Sequence, residues 1–481
     1  VALTFIGCAI FQPQVRPAAP IALPEKYSLY APDEAGPGKW WQAFGSAELD
    51  GLVEEALSGN FDIQSAFARL KQADAVARKV GADLNPSIAY STGAEKSWSQ
   101  TKSDIQGSSQ TEGETFHAGL TAAYELDLWG RLTALRQSEV LELAATRKDL
   151  EAAAVTVAAE VVTTWLDILS ARRQIAILED QIDINHRLLK LQELRFINGK
   201  ADALDISQQR EALASARAKM PLLQLEIQRQ QNVLAVLLGR AGQVDLPISQ
   251  AMLPELIPLP ASGLPADLLA ARPDVCAAGL RLRSADWQVS AARADRLPAI
   301  TLTADAGYAS DALDLLFKNW VAALAGSITG PVFDAGYRSA EVDRTRAVAE
   351  EYLAAYANTV AEALREVEDS MAVETRQSEY IVLLEEQLKA SRMALKDAHL
   401  QYMNGQDNYL DYLTAWTSVQ DLERQLTAEQ ATLIKNRVTL YRALGGDWTC
   451  KLLPDSDPKQ AKSETPNIGD RHAQANAPIN G

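Results

Sequence analysis

The stretch RLTALRQSEVLELAATRKDLEAAAVTVAAEVVTTWLDILSARRQIAILEDQIDINHRLLKLQELRF (131–196) decides how the rest of the chain is read. It holds no proline and no glycine, and is rich in Ala, Leu, Glu, Gln and Arg, the strong helix formers. As one helix it would run about 100 Å, several times the usual length in a globular domain. The first break is Asn198-Gly199. A second stretch, 337–402, is also free of proline and glycine and breaks at Asn404-Gly405. The two turns lie 206 positions apart (404 − 198). Two such rods point to one elongated body rather than a row of compact domains.

Working outward, the segments around each rod repeat as well. A helical pattern runs from Ala47 to about Val80, interrupted at Gly59-Asn60, with Asp62 expected to start its second part. Asn85-Pro86 ends it, and the period changes to two. Phe116, Ala118, Leu120, Ala122, Tyr124 and Leu126 share one face of a strand; His117, Gly119, Thr121, Ala123, Glu125 and Asp127 share the other. With Ile88 and Tyr90 this makes a hairpin, and the polar segment Ser99 to Gly113 reads as its loop. A return helix is expected from about Asp202 to Leu238, with Pro221 as a kink. The second copy follows. Asp274-Val275, Ala278, Arg281, Leu282, Ala285 and Asp286 match Asp62-Ile63, Ala66, Arg69, Leu70, Ala73 and Asp74 at an offset of 212, as Pro298 matches Pro86. Strand patterns at Ile300 to Ala306 and Trp320 to Ile328 flank a loop, and Gly445-Gly446 closes the last helix. Gly130 and Gly336, at the strand-to-rod hinges, are expected at positive φ.

The domains that follow are 1–8, a signal remnant; 9–46, an extended tether and equatorial segment; 47–238, the first repeat; 239–263, a connector; 264–446, the second repeat; and 447–481, an equatorial segment with a polar tail. The hairpins span 86–128 and 298–332, the rods 131–197 and 337–403, the return helices 201–238 and 407–444. An internal repeat of this size constrains the fold more than any single motif.

Composition narrows the function. A net charge of −17 speaks against nucleic acid, which selects basic faces. The four His are scattered and no CxxC occurs, so no metal or cofactor site is expected. Cys276 and Cys450 could form a disulfide or remain thiols. No nucleophile–base set or phosphate loop is visible, so no enzyme is read. No run of 18 apolar residues marks a transmembrane helix. The apolar run Val1 to Gly7 reads as the end of a secretory signal. Cys8 after it looks like a lipoprotein cleavage site, and the proline-rich leader beyond (Pro13, Pro17, Pro20, Pro24) suits a tether.

Two hairpins cannot close on themselves, and an open edge cannot sit in lipid. Strands with one apolar and one small or polar face fit an outer-membrane barrel shared among copies. Trp98, Tyr124, Tyr308 and Trp320 stand where interfacial aromatics would sit. A soluble antiparallel sheet fits the same alternation, and a coiled coil within one chain fits the rods.

The chain resembles the TolC-like outer-membrane efflux proteins, and most of all their OprM/NodT-type lipoprotein branch. The segments that carry the resemblance are WWQAFGSAELDGLVEEAL (40–57), YELDLWGRL (124–132), ARPDV (271–275), ARADRLPAITLTADAGY (292–308), PVFDAGYR (331–338), NGQDNYLDYLTA (404–415) and LYRALGGDW (440–448). The resemblance implies a mainly α chain with a β-barrel portion: a homotrimer with a shared twelve-stranded barrel, a long periplasmic helical barrel and an equatorial domain. It implies a passive exit duct for drugs or other small molecules, working with a periplasmic adaptor (membrane fusion) protein and an inner-membrane transporter of the RND type. A channel for type I protein secretion or a non-conducting periplasmic scaffold remain alternatives.

Particular residues follow. Cys8 would carry lipid. The tips Asn198, Gly199, Lys200 and Asn404, Gly405, Gln406 would meet the adaptor, although the glycines also simply permit the turns. Leu410 and Asp411 would form a periplasmic gate, with Asp205 as a second candidate. Either Asp could instead complement a helix dipole. The family often places a further acid three positions after Asp411; here that residue is Thr414, so the acidic ring would be single. Arg272-Pro273-Asp274 could start a helix or act directly.

Overall fold

The structure is a computed structural model. It describes residues 11–16, 20–24, 26–27, 38–103, 107–241, 248, 250, 252–260, 265, 268–406, 408–445 and 448–449. Cys8, Cys450 and the tail from 450 on lie outside the described residues.

The first repeat contains α1 (Ala47–Gly59), α2 (Phe61–Ala82), β1 (Ser87–Ser103), β2 (Gly107–Leu126), α3 (Arg131–Ile197) and α4 (Ala203–Leu237). After the short α5 (Leu268–Ala271) the second contains α6 (Pro273–Ala294), β3 (Ala299–Ser310), β4 (Trp320–Thr329), α7 (Tyr337–Met403) and α8 (Tyr409–Leu444). Both rods are single helices of 67 residues, roughly 100 Å long. Each starts at a glycine in the left-handed region, Gly130 (φ 76°) and Gly336 (φ 85°). Nearby carboxylates cap them: Asp127 accepts from the Leu132 and Thr133 amides at 3.0 and 2.7 Å, and Asp334 from Gly336 and Arg338 at 3.0 and 3.3 Å. Next to the sheet the helices lie in the row α2–α3–α6–α7; towards the far end the row is α4–α3–α8–α7. α4 runs unbroken through Pro221.

The four strands form one antiparallel sheet in chain order. The register puts Ile88, Ala122, Ala304 and Leu324 side by side, and Tyr90, Leu120, Ala306 and Ala322 in the next row. This is the apolar face; its Tyr90, Trp98, Leu324 and Trp320 are largely exposed. The other face is small or polar: Ala89, Thr121, Asp305 and Ala323 share a row, with Thr121 donating to Asp305 at 2.7 Å.

Three expectations need correction. Of the segment Ser99 to Gly113 read as a loop, 99–103 and 107–113 are strand: β1 and β2 stay paired as far as Ser103 opposite Gly107. Serine and threonine hide the alternation there, because neither face is apolar. The second helix starts at Phe61, capped not by Asp62 but by Asn60, whose Oδ1 accepts from the Asp62 and Ile63 amides. The 310–319 loop contains a 3-10 helix, Leu313–Lys318.

The main core lies at the equator. α3 carries one window long and apolar enough to cross a membrane, but it is mostly buried. Val161, Val162, Trp165, Leu166, Ile168 and Leu169 pack there against α1 and α8. Trp40 stacks on Tyr441 and Trp41 meets Trp448 edge-on at 4.8 Å. The connector is clamped by side chains: Arg437, buried with Glu374, donates to the Ile257 carbonyl, and Tyr441 to that of Pro258 at 3.1 Å.

Arg272 answers the question left open for its motif. Its guanidinium reaches Asp274 at 2.6 Å, Glu366 at 2.8 Å and the Ala443 carbonyl at 3.2 Å. Burial opposes the charged form of Asp274, but bonds to Arg272 hold its carboxyl below the usual range. Arg272 pins the start of α6 to α7 and to the end of α8.

Candidate functional site: the tip of the rods

The rods turn back on themselves in the same way twice. Gly199 (φ 64°) and Gly405 (φ 70°) take the left-handed conformation. Lys200 N–H donates to the Arg195 carbonyl at 2.8 Å, and Gln406 N–H to that of Gln401 at 2.9 Å, the wide bond of a Schellman turn. A Cβ at either glycine would meet open space, so only backbone conformation selects glycine within one chain. Asn198, Gly199, Lys200, Asn404, Gly405 and Gln406 are all exposed. Apolar side chains surround them: Phe196, Ile197, Leu204, Leu400 and Met403 are at least 46% exposed.

Just above the turns, the two coil pairs are joined by a buried polar lock. Tyr402 donates to Gln192 at 2.9 Å, tying α7 to α3. Tyr409 on α8 donates to Gln209 on α4. Gln209, fully buried, donates to the Asn185 carbonyl at 2.9 Å, and Trp416 donates to the Asn185 side chain at 3.1 Å. Further up, Gln181 donates to the Gln420 carbonyl at 3.0 Å and accepts from Arg424. The rings of Tyr402, Tyr409 and Tyr412 cluster within 6.0 Å of one another. Burial pushes all three phenols up, Tyr409 furthest, so they remain neutral donors. Arg195 covers the Tyr402 ring at 4.4 Å.

Tyr409, Tyr412 and Leu413 face this cluster, while Leu410, Asp411 and Thr414 are exposed on the other side of α8. Leu410 is 50% exposed. The Asp411 amide donates to Asn408 at 3.0 Å, so Asp411 also sits in the capped first turn. Asp205 also sits in a capped first turn: its carboxylate accepts from the Asp202 amide at 3.1 Å at the start of α4. Leu410 and Asp411 share an exposed face of α8, and the half-exposed Asp205 stands at the equivalent position of α4.

The lock was missed from sequence. Its signal was present: Gln181, Asn185 and Gln192 recur at helical spacing on one side of a rod, amides where charged residues cover the surface. Among the described residues no cluster of three His, Cys, Asp or Glu side chains could hold a metal.

A sheet with a lipid-compatible face, continued by a bundle of rods with a locked far end, defines a membrane channel with a long extramembrane tunnel. The chain belongs to the outer membrane efflux protein family, whose pattern matches residues 52–240 and 264–446. It is 32% identical over 451 residues to the pyoverdine export outer membrane protein OpmQ of Pseudomonas putida, covering 93% of this chain and 96% of that one. It is 31% identical to the outer membrane protein OprJ of Pseudomonas aeruginosa, over 93% of this chain and 95% of that one. The solved structure of CusC superposes with a TM-score of 0.83 at 27% identity, covering 92% of this chain and all of that one. That of the outer-membrane channel OprN gives 0.81 at 28% identity, covering 93% and 99%. The fold is thus the TolC-like one, a β-barrel portion continued by a helical barrel, and the chain is an outer-membrane exit duct for efflux that extends into the periplasm.

Proposed function

We propose that three copies form the duct, export small molecules, and are closed at the periplasmic tip by Leu410 and Asp411. The observation that carries the assembly is the sheet: its four strands leave both outer edges unpaired, beside an apolar face that suits lipid. Three copies supply twelve strands. The tips Asn198 to Lys200 and Asn404 to Gln406, with their exposed apolar neighbours, are the surface for a periplasmic adaptor. The adaptor in turn connects to an inner-membrane transporter of the RND type. The duct itself is passive and catalyses nothing.

Relatives named for pyoverdine export, toluene efflux and cation efflux favour small solutes over secreted proteins. Threefold symmetry would set three copies of Asp411 around the axis, and such carboxylate rings favour cations. The Tyr–Gln lock holds the closed arrangement.

Reconstitution in planar bilayers tests the reading. Trimers by mass in mild detergent, with cation-selective conductance, are expected. Trimers that never conduct would favour a scaffold. Cys8 is proposed to carry acyl chains that add a lipid anchor to the barrel. Cys8→Ser should lose metabolic palmitate labelling yet still insert, and an unmodified Cys8 in the native host would refute the anchor.

A further inference from the structure

We propose that the sheet carries a lipid-binding site on its apolar face: a groove beside the β3–β4 loop that takes one acyl chain of an acidic outer-leaflet lipid, with a phosphate of that lipid at Lys318. This rests on the reading that the apolar face meets the bilayer, and it names a particular occupant at a particular place on that face.

The groove is made by the loop between β3 and β4. Its 3-10 helix, Leu313–Lys318, folds back over β3 and β2 instead of standing clear of the sheet. Leu316, on that helix, and Ser310, at the end of β3, are both buried. Phe317 turns onto the ring of Tyr308, edge to face at 5.4 Å. Tyr308 belongs to the apolar face, in the row Thr92–Ala118–Tyr308–Trp320, so the loop lies on the lipid side of the sheet. Beside this contact is a cavity of 580 Å³, within the ~300–1,000 Å³ usual for ligand sites. Ala118, Ala306 and Ala322 supply its small side chains, and Leu120, Phe317 and Trp320 stand around them. Val321 apart, every strand side chain lining it comes from the even-numbered, apolar face.

Position selects the leaflet. Ile300 to Tyr308 spans about 26 Å along β3, or ~20 Å in height at the usual strand tilt. The apolar band of an outer-membrane barrel is ~25 Å tall, so the groove lies in the half away from the rods. The rods extend into the periplasm, so that half is the outer leaflet. On a flat apolar wall one lipid tail is as good as another, because tails are as apolar as leucine. A concave seat flanked by Phe317 and Trp320, both largely exposed, selects by fit instead. Aromatic rings are also favoured at this depth, where hydrocarbon gives way to headgroups.

Charge selects the headgroup. Lys318 directly follows Phe317, is exposed, and makes no ion pair among the described residues. Lys96, on the same face of β1, is by contrast already held by Glu112 at 2.6 Å and Glu114 at 2.9 Å, over the Trp98 ring. Asp311 and Asp314 stand at the other end of the loop, so an acidic headgroup is drawn to the Lys318 end. A long lysine stem can lie along apolar surface and hold its ammonium at headgroup level. An acyl chain in the groove and a phosphate at its rim describe a phosphorylated, multi-acylated glycolipid of the outer leaflet.

Native mass spectrometry of the full-length protein in mild detergent tests the site, with lipid A and phosphatidylglycerol offered separately. Lipid A should stay bound, up to one per chain, and phosphatidylglycerol should be lost more readily. Lys318→Gln should lower lipid A retention about tenfold, the scale of one charge-assisted hydrogen bond, and Lys318→Arg should preserve it. Ala306→Trp fills the groove while keeping the face apolar, and should also remove the bound lipid. Ala304→Trp, on the same face but outside the groove, should not. Unchanged retention in either Lys318→Gln or Ala306→Trp would overturn the site, and phosphatidylglycerol held as tightly as lipid A would overturn the choice of lipid. Planar-bilayer recording of the same samples separates the underlying reading. Protein that inserts and conducts but ignores lipid A overturns the groove alone; protein that never inserts overturns the lipid-facing sheet.

Discussion

Tyr409→Phe should open the periplasmic end without disturbing the rest of the duct. The change removes one hydroxyl and keeps the ring, which packs 5.3 Å from Tyr402 and 5.9 Å from Tyr412. Gln209 is fully buried, and its side-chain carbonyl accepts from that hydroxyl. Left without its donor it forfeits about 1–3 kcal/mol, the cost of a buried unsatisfied polar group. If the bond exists only in the closed state, the open population rises roughly 5- to 150-fold per lock. Single-channel recording measures this as open probability, and entry of a large hydrophilic antibiotic measures it in cells. An unchanged open probability in trimers of normal mass would refute the lock. The pH dependence follows with a definite sign. Burial raises the Tyr409 phenol above its ordinary 10.0, so the neutral donor is favoured in the closed state. That contribution is intact below pH 10 and fades only as pH climbs through the raised value. Closure should be insensitive to pH near neutrality and weaken in alkali.

Three further outcomes are expected. Asp411→Asn should lower cation selectivity and weaken block by multivalent cations from the periplasmic side; unchanged recordings would leave Asp411 a helix-start residue. Gly405→Asn keeps a residue that tolerates the left-handed backbone, so the turn survives, while efflux should fall sharply if an adaptor reads this surface. Normal export by that variant would reduce Gly405 to a turn former. Arg272→Ala should lower stability by on the order of 2 kcal/mol, since Glu366 and the Ala443 carbonyl lose a shared donor, and thermal unfolding measures it.

Much of this architecture was legible in the sequence because it depends on periodicity. The rods, the alternating face Phe116 to Leu126 and the paired Asn-Gly turns each announce themselves locally. What stayed hidden depends on partners far along the chain. Asn185, Gln192 and Gln209 look like surface amides until α7 and α8 are laid against them. The upper part of the hairpin is concealed for another reason: Ser, Thr, Gln and Gly fill both faces there, so its ladder leaves no apolar alternation to read. Arg272 was ambiguous because its decisive acceptor, the Ala443 carbonyl, lies 171 residues away.

The two repeats have diverged where the duct must move and agree where it must close. The hairpins, hinge glycines and turns correspond throughout. The lock does not. At the shift of 206, Tyr402 and Tyr409 correspond to Phe196 and Ala203, while Gln192 and Gln209 correspond to Ala398 and Ala415. All four equivalents lack the hydroxyl or amide the bond requires. The six repeats of the proposed trimer would build a nearly uniform tube, yet only the contact inside each chain can be locked this way. A trimer would carry three such locks rather than six. Moving a lock to the second site would take Phe196→Tyr with Ala398→Gln. Adding that pair to an intact chain should lower open probability only if the equivalent helices of two copies approach as closely as those of one. A variant that assembles normally and gates unchanged would show that the tips of two copies stand further apart than the two rods of one chain.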